Sequence, residues 1–216
     1  MICEVKGSKL PDPSEIDALQ AGMCPVNWAL DCVAVARLES CGNSVMCRDG
    51  MTQLRLIVSD IAQGKAQSDD TELMKELCGV IASSNGCEIG VKAAANLLYS
   101  MERYPEEWDQ HTRRKRCSAL VCKDCYAVVV QPDQCTACGD CIRACPVGAI
   151  RGGAGLISVV DEKKCIRCLT CLSACPAGVI TKAETGKIKT PEEPVPVGSF
   201  EAAGGGGRRR RRSGGE

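Results

Sequence analysis

The sequence predicts an α+β protein, with an N-terminal helical bundle followed by a smaller, strand-containing domain made of two copies of one unit. Two patterns carry this prediction. Apolar residues recur at helical spacing through residues 48–103, and a segment within residues 126–184 repeats at a constant offset of 30 residues, from Cys135 to Cys165. A length of 216 residues accommodates one or two domains of this kind.

Cysteine is the outlier of the composition. The chain has 18 cysteines, and its 27 Lys and Arg balance 27 Asp and Glu, so net charge indicates no polyanionic partner. The first ten residues carry Glu4, Lys6 and Lys9 where a secretory signal would be apolar, and no apolar run is long enough to cross a bilayer. We therefore expect a reducing compartment, the cytoplasm, where cysteines bind metal more often than they pair.

Helix starts and stops delimit the N-terminal half. We expect a helix start at Pro11–Ser14 and a helix over 26–38. A helix from Met51 should end at Gly64, and two more should follow, ending at Asn85-Gly86 and before Pro105. The predicted segments are an N-terminal extension (1–34), a helical domain (35–104), a Cys/His connector (105–125), a domain that contains the repeat (126–184) and a disordered Gly/Arg tail (185–216).

Each copy of the repeat reads C-x2-C-x2-C-x3-C-P. Two such runs in register are typical of a bacterial ferredoxin with two [4Fe–4S] clusters, in which the fourth cysteine of each run binds the other cluster. Zinc sites or a disulfide knot are the alternative, but zinc favours pairs of C-x2-C without the third cysteine and the trailing proline. The predicted ligands are Cys135, Cys138, Cys141 and Cys175 for cluster 1, and Cys165, Cys168, Cys171 and Cys145 for cluster 2.

A second cysteine motif lies in the helical half. Glu39–Gly50 resembles the E-S-C-G-x-C-x-x-C-R-x-G motif of the flavoprotein (NADH-oxidising) subunit of respiratory complex I. That resemblance implies a third cluster on the helical bundle, with Cys41, Cys47 and Cys87 as ligands. Ser44 stands where the family has its middle cysteine.

The Ser44 departure leaves several states open for the third cluster. The site could hold a serine-ligated cubane, a three-iron cluster, a cubane completed by another group, or no cluster. Three further cysteines of the N-terminal half could substitute for the missing thiol if folding brings one close, namely Cys24, Cys32 and Cys78.

One branch of the family is more similar still: the diaphorase-like beta subunit of NAD-linked, often bifurcating, iron-iron hydrogenases, with related formate dehydrogenase subunits. Its H-x5-C-x4-C connector has counterparts here in His111, Cys117 and Cys122. Cys125 is the expected fourth ligand, although a cysteine from the helical domain could take that place. These residues suit a closed, structural zinc site; a solvated histidine beside free thiols is the alternative. The flavin- and NADH-binding region of the family is not expected, because no glycine-rich nucleotide loop precedes Cys41.

These features predict a non-catalytic iron–sulfur subunit that relays single electrons within a larger oxidoreductase, such as a hydrogenase, formate dehydrogenase or NADH dehydrogenase-like complex. Its expected partners are a flavin-carrying or catalytic subunit and a ferredoxin. A freestanding ferredoxin-type carrier and a non-redox interaction module are the alternatives. The Arg208–Arg212 run has flanking glycines and no aromatic stacking residues, which favours a solubilising tail over a nucleic-acid arm.

Overall fold

A computed structural model describes residues 7–17, 22–84 and 87–200. The chain divides into two compact units. We call residues 1–127 with 182–185 the helical unit, and residues 128–181 with 186–216 the repeat unit.

The helical unit is built around α2, which packs mainly on α3 and α5. A π-helical turn, Met46–Gly50, leads into α3, and α4 packs on α5. The core consists of fully buried aliphatic side chains such as Val33, Leu54 and Leu97. The helices are α1 (Pro13–Asp17), α2 (Pro25–Glu39), α3 (Met51–Ala62), α4 (Asp70–Ser83), α5 (Glu88–Arg103) and α6 (Pro105–Arg113).

Proline and glycine set several helix ends. Pro25 and Pro105 occupy the first turns of α2 and α6, where a missing N–H costs nothing. Gly64 follows α3 with a φ of +70°, and its N–H bonds to the Ile61 carbonyl at 3.1 Å while Lys65 N–H bonds to Asp60 at 2.8 Å. This pair of bonds is a Schellman motif, so the predicted stop at Gly64 is confirmed.

The repeat unit contains two short helices and two strand pairs. Strand β2 (Ile150–Gly153) pairs antiparallel with β3 (Leu156–Val160), and β1 (Ala127–Val130) pairs with β4 (Ile180–Ala183). Helices α7 (Asp140–Ala144) and α8 (Thr170–Ala174) pack on each other. The order β1-α7-β2, β3-α8-β4 follows the sequence repeat, and the predicted α+β class is confirmed.

The predicted disordered tail begins at residue 185, but Val195 and Val197 are hydrogen-bonded to the backbone of Ile157 and Gly155 at 2.8 and 3.0 Å, so this part of it is ordered. Two other predictions lie outside the described residues: the helix stop at Asn85-Gly86 and the rest of the tail from residue 201 onward, which includes the arginine run. Across 7–17, 22–84 and 87–200, no helix is both long and apolar enough to cross a membrane.

Candidate metal centres

The repeat unit gathers its eight cysteines into two sets of four. Cys135, Cys138 and Cys141 line a small pocket together with Cys175 from the second copy of the repeat. The second pocket has the reciprocal composition and is lined by Cys165, Cys168, Cys171 and Cys145. Each set therefore contains three thiols from one copy and one from the other, which is the grouping expected from the spacing.

The loops that carry these cysteines have the same backbone curl in both copies. Ala137 and Gly139 have φ values of +54° and +77°, and their counterparts Arg167 and Leu169 have +53° and +64°. Three of these residues have side chains, which makes a left-handed conformation costly. Backbone that alternates between right- and left-handed conformations forms concave sites lined with N–H groups. The folded chain thus fixes the loops in a curved form suited to wrapping a cluster.

Several donors lie against the cysteine sulfurs. The Ala149 N–H donates to Cys145 Sγ at 3.2 Å, and the Thr170 hydroxyl donates to Cys168 Sγ at 3.3 Å. The Ser158 hydroxyl lies 3.4 Å from Cys141 Sγ. Hydrogen bonds to sulfur, together with solvent exposure, set the potential of a bound cluster.

The electrostatics of the two sets call for a cation. The pKa of Cys171 is raised to about 11, first by burial and then by the neighbouring Cys165 and Cys168. Burial also raises the pKa of Cys141. Four thiolates in a largely apolar pocket repel one another unless a metal balances them, and soft sulfur donors select iron–sulfur clusters, zinc or Cu(I). The donor sets and pockets fit [4Fe–4S] clusters.

The helical unit places the second motif in the turn before α3. The Gly42 N–H donates to Cys47 Sγ at 3.2 Å, and the Gly90 N–H donates to Cys87 Sγ at 3.3 Å. The Ile81 side chain borders both turns, because Cβ atoms added at Gly50 and Gly90 would lie 3.3 Å and 3.8 Å from it. Gly50 and Gly90, each three residues after a cysteine of the motif, thus lie against the same apolar side chain.

The other two residues of the motif, Cys41 and Ser44, are less buried than Cys47 and Cys87. Cys41 is exposed, and Ser44 is half-buried. The Ser44 hydroxyl accepts a hydrogen bond from the Cys47 N–H at 3.1 Å, as an N-capping serine does. Ser44 therefore has a structural role in this turn whether or not it binds iron.

The three substitute thiols lie in different places. Cys32 is in the contact between α2 and α5, where Asn96 Nδ2 donates to its sulfur at 3.7 Å. Cys78 is on the buried face of α4, one turn before Ile81. Burial raises the pKa of both thiols to about 12. The third, Cys24, belongs to another ligand group.

That group is compact and fully buried. The ligand atoms of Cys24, His111, Cys117 and Cys122 all lie within 4.8 Å of one another. Cys24 Sγ is 3.6 Å from Cys122 Sγ and 3.4 Å from His111 Nε2. Tetrahedral zinc, with Zn–S of about 2.3 Å and Zn–N of about 2.05 Å, requires edges of about 3.8 and 3.6 Å. The observed separations match these edges within a few tenths of an ångström.

The histidine is oriented for a metal. His111 Nδ1 lies 2.8 Å from the Glu107 carbonyl, so Nδ1 carries the proton and Nε2 faces the sulfurs. Burial lowers the pKa of His111, but hydrogen bonds to Cys117 and Cys24 outweigh it and raise the pKa to about 10. The hydrogen bond between Cys117 and Cys122, followed by contacts with Cys24, lowers the pKa of Cys117 and raises that of Cys122. The pKa values of His111, Cys117 and Cys122 are shifted because four ligand atoms lie within 4.8 Å of one another and share protons where a metal cation would bind.

The fourth member of the group differs from the sequence expectation. Cys125, the expected ligand, points its thiol at the Ala62 carbonyl, 3.4 Å away, and Cys24 takes the remaining corner. Cys24 lies immediately before α2, whereas His111 is on α6. No local spacing links the two, because 87 positions separate them; only the packing of α2 with α6 does.

Two regions of the chain match known iron–sulfur families. Residues 27–111 match the NADH-ubiquinone oxidoreductase-F iron–sulfur binding region, and residues 133–187 match the 4Fe–4S dicluster domain. The chain therefore contains two regions similar to iron–sulfur binding families. The first match lies in the helical half of the chain and the second spans the cysteine repeat.

Individual relatives agree with this assignment. The chain is 33% identical over 114 residues to the NADP-reducing hydrogenase subunit HndC of Solidesulfovibrio fructosivorans, covering 53% of this chain and 23% of the relative. It is 30% identical over 79 residues to the F subunit of the NADH-quinone oxidoreductase of Streptomyces coelicolor, covering 37% and 18%. The F subunit of the Aquifex aeolicus NADH-quinone oxidoreductase is 28% identical over 82 residues, covering 38% and 19%. The chain thus spans less than a quarter of the length of these curated relatives.

Proposed function

We propose that this subunit relays single electrons through two [4Fe–4S] clusters in its repeat unit, between a flavin-carrying or catalytic partner subunit and a ferredoxin or second subunit. The observation that carries the proposal is the reciprocal grouping of the eight cysteines into two pockets. Because each pocket borrows one thiol from the other copy, and because α7 packs on α8, the two clusters would be neighbours. Adjacent clusters support electron transfer without substrate chemistry.

The partner assignment rests on the names of the relatives. HndC is a subunit of an NADP-reducing hydrogenase, and the two F proteins are subunits of NADH-quinone oxidoreductases. We extend to this chain the feature they share, which is membership of a multi-subunit oxidoreductase. Thiolate ligands must stay reduced before metal loading, and this requirement favours the cytoplasm as the compartment.

A third cluster in the helical unit is part of the proposal. Cys41, Cys47 and Cys87 would be its thiolate ligands. Ser44 would leave the fourth iron weakly held, because its hydroxyl already accepts the Cys47 N–H and a serine oxygen is a harder ligand than a thiolate. A three-iron cluster, or a cubane completed by another group such as Cys78 on neighbouring α4, is compatible with this arrangement.

Zinc at Cys24, His111, Cys117 and Cys122 completes the metal content that we propose. All four residues belong to the helical unit, so zinc would tie the start of α2 to α6 and to the connector. A closed four-ligand site of this type has no open position for a substrate, and its contribution is structural.

Anaerobic purification followed by iron, sulfide and zinc quantitation and EPR of the reduced protein tests the proposal. Loading of the repeat unit alone gives about eight irons, and occupancy of every site gives about eleven or twelve with one zinc. Co-purification of a flavin-containing subunit would support the relay. A purified protein that lacks the visible absorption of iron–sulfur clusters would refute the proposal. A single species that exchanges electrons with a reductase, without a partner subunit, would favour a freestanding carrier.

A further inference from the structure

The two pockets of the repeat unit are related by the 30-residue offset, yet their linings differ at equivalent positions. Pocket 1 is the one that contains Cys141, and pocket 2 is the one that contains Cys171. Both have a valine from the facing strand, Val130 in pocket 1 and Val160 in pocket 2. At three other positions, pocket 1 has a small or hydroxyl-bearing residue where pocket 2 has a large or branched aliphatic one: Thr136 against Ile166, Gly139 against Leu169, and Ser158 against Val128.

Ser158 is the position with a direct contact to a cluster ligand. It is only 3% exposed, and its hydroxyl lies 3.4 Å from Cys141 Sγ. Gly152 on the paired strand closes the other side, because a Cβ there would lie 3.2 Å from both the Cα and Oγ atoms of Ser158. The absence of a side chain at Gly152 gives Ser158 the room that it occupies.

The chemistry of the ligand fixes the direction of this hydrogen bond in the loaded protein. A cysteine that binds iron is a thiolate and has no proton to donate, so the Ser158 hydroxyl must be the donor. A hydrogen bond to an ionised acceptor is stronger than one between neutral groups, and its strength grows as negative charge on the sulfur grows. Reduction places that additional charge on the cluster and its sulfurs. Val128, at the equivalent position of pocket 2, offers no donor.

We propose that Ser158 is a positioning residue that raises the reduction potential of the cluster held by Cys135, Cys138, Cys141 and Cys175. This inference rests on the cluster assignment of the proposed function. Other groups also act on the two clusters, including the Thr170 hydroxyl on Cys168 and charged side chains on the exposed loops. They are the same in wild type and in a Ser158 variant, so a substitution at Ser158 isolates the hydroxyl.

The test is an EPR-monitored redox titration of the anaerobically purified full chain, with dithionite supplying one electron to each cluster. Ser158→Val and Ser158→Thr form a matched pair, because both add the same branch and only threonine keeps the hydroxyl. We expect Ser158→Val to lower the ratio of reduced to oxidised cluster about tenfold at a fixed potential for one of the two clusters, which is 59 mV for a one-electron couple. Ser158→Thr should remain near wild type. Val128→Ser should raise the potential of the other cluster.

The controls separate this inference from the proposed function. Iron and sulfide content are measured first, and fewer than two clusters in the wild-type repeat unit would refute the function proposed above. Two loaded clusters whose potentials do not change in Ser158→Val, or which change equally in Ser158→Val and Ser158→Thr, would overturn the role of Ser158 alone. Should Ser158→Val fail to load, Ser158→Ala removes the hydroxyl without adding volume and must show the same lowered potential.

Discussion

Replacing Cys24 should destabilise the helical unit far more than replacing another buried cysteine of the same unit. Cys24 and His111 are 87 residues apart, so zinc bound to both would close a long loop. The chain-entropy estimate for a cross-link of that length is about 4–5 kcal/mol. In Cys24→Ser, the remaining ligands His111, Cys117 and Cys122 close only short loops. We therefore expect most of the long-loop contribution, about 4 kcal/mol, to be lost.

That free energy converts into a measurable melting shift. For a unit of roughly 130 residues, each kcal/mol of stability moves the midpoint by about 4 °C, so Cys24→Ser should melt about 15 °C below wild type. Far-UV circular dichroism of the metal-loaded full chain reports mainly on the helical unit, where α2 to α6 lie. Zinc content of the same samples, measured by mass spectrometry, should fall.

Cys125→Ser is the matched control. Cys125 is fully buried and lies three residues after Cys122, but its thiol faces the Ala62 carbonyl, which a serine hydroxyl can also reach. This variant should keep its zinc and melt within a few degrees of wild type, because its expected cost is about 1 kcal/mol. A zinc-selective chelator should lower wild type to the midpoint of Cys24→Ser and leave that variant unchanged. Equal losses in the two serine variants, or full zinc in Cys24→Ser, would refute the site.

Three further outcomes are expected. Ser44→Ala should lower the free energy of unfolding by about 1 kcal/mol, because the Cys47 N–H loses its acceptor. Ser44→Cys should increase the amount of iron bound to the helical unit. Identical iron content in the two variants would argue against a cluster there. With pKa values of about 12, Cys32 and Cys78 should resist alkylation of the folded protein at neutral pH; labelling of either would contradict their burial. Gly64→Ala should lower the stability of the helical unit by about 1–2 kcal/mol in urea unfolding, since φ is +70° there, and an unchanged midpoint would refute that reasoning.

Local rules in the sequence were sufficient for much of the helical unit. Pro25, Gly64 and Pro105 each act on the backbone within a residue or two, and the structure has helix ends at all three. The start of α5 is different. It begins at Glu88, where the Cys87 sulfur accepts the Gly90 N–H as an N-cap. Cysteine is not among the residues that usually cap helices, so capping preferences do not predict a helix start at this position.

The zinc group shows where sequence spacing stops being informative. His111, Cys117 and Cys122 are close in the chain, and their grouping could be expected from that alone. Cys24 joins them only because α2 packs on α6, a contact that depends on the whole helical core. Cys125 is the nearer residue in sequence, but the turn Lys123–Cys125 directs its thiol toward α3. A ligand contributed by tertiary packing leaves no local pattern for a spacing argument to find.

In the repeat unit, the sequence predicts which positions are equivalent, but only the folded structure shows what each of them contacts. The constant offset of 30 residues makes Val128 and Ser158 equivalent positions. It does not indicate which face of each strand lines a cysteine pocket. Both strands give almost no help, because β1 is buried throughout and the three central residues of β3 are buried as well, so the usual alternation of buried and exposed residues is missing. The structure supplies the missing direction by placing Ser158 in one cysteine pocket and Val128 in the other. Ser158 is then a buried hydroxyl beside Cys141, and under the proposed function this difference between otherwise equivalent sites would give the two clusters unequal potentials.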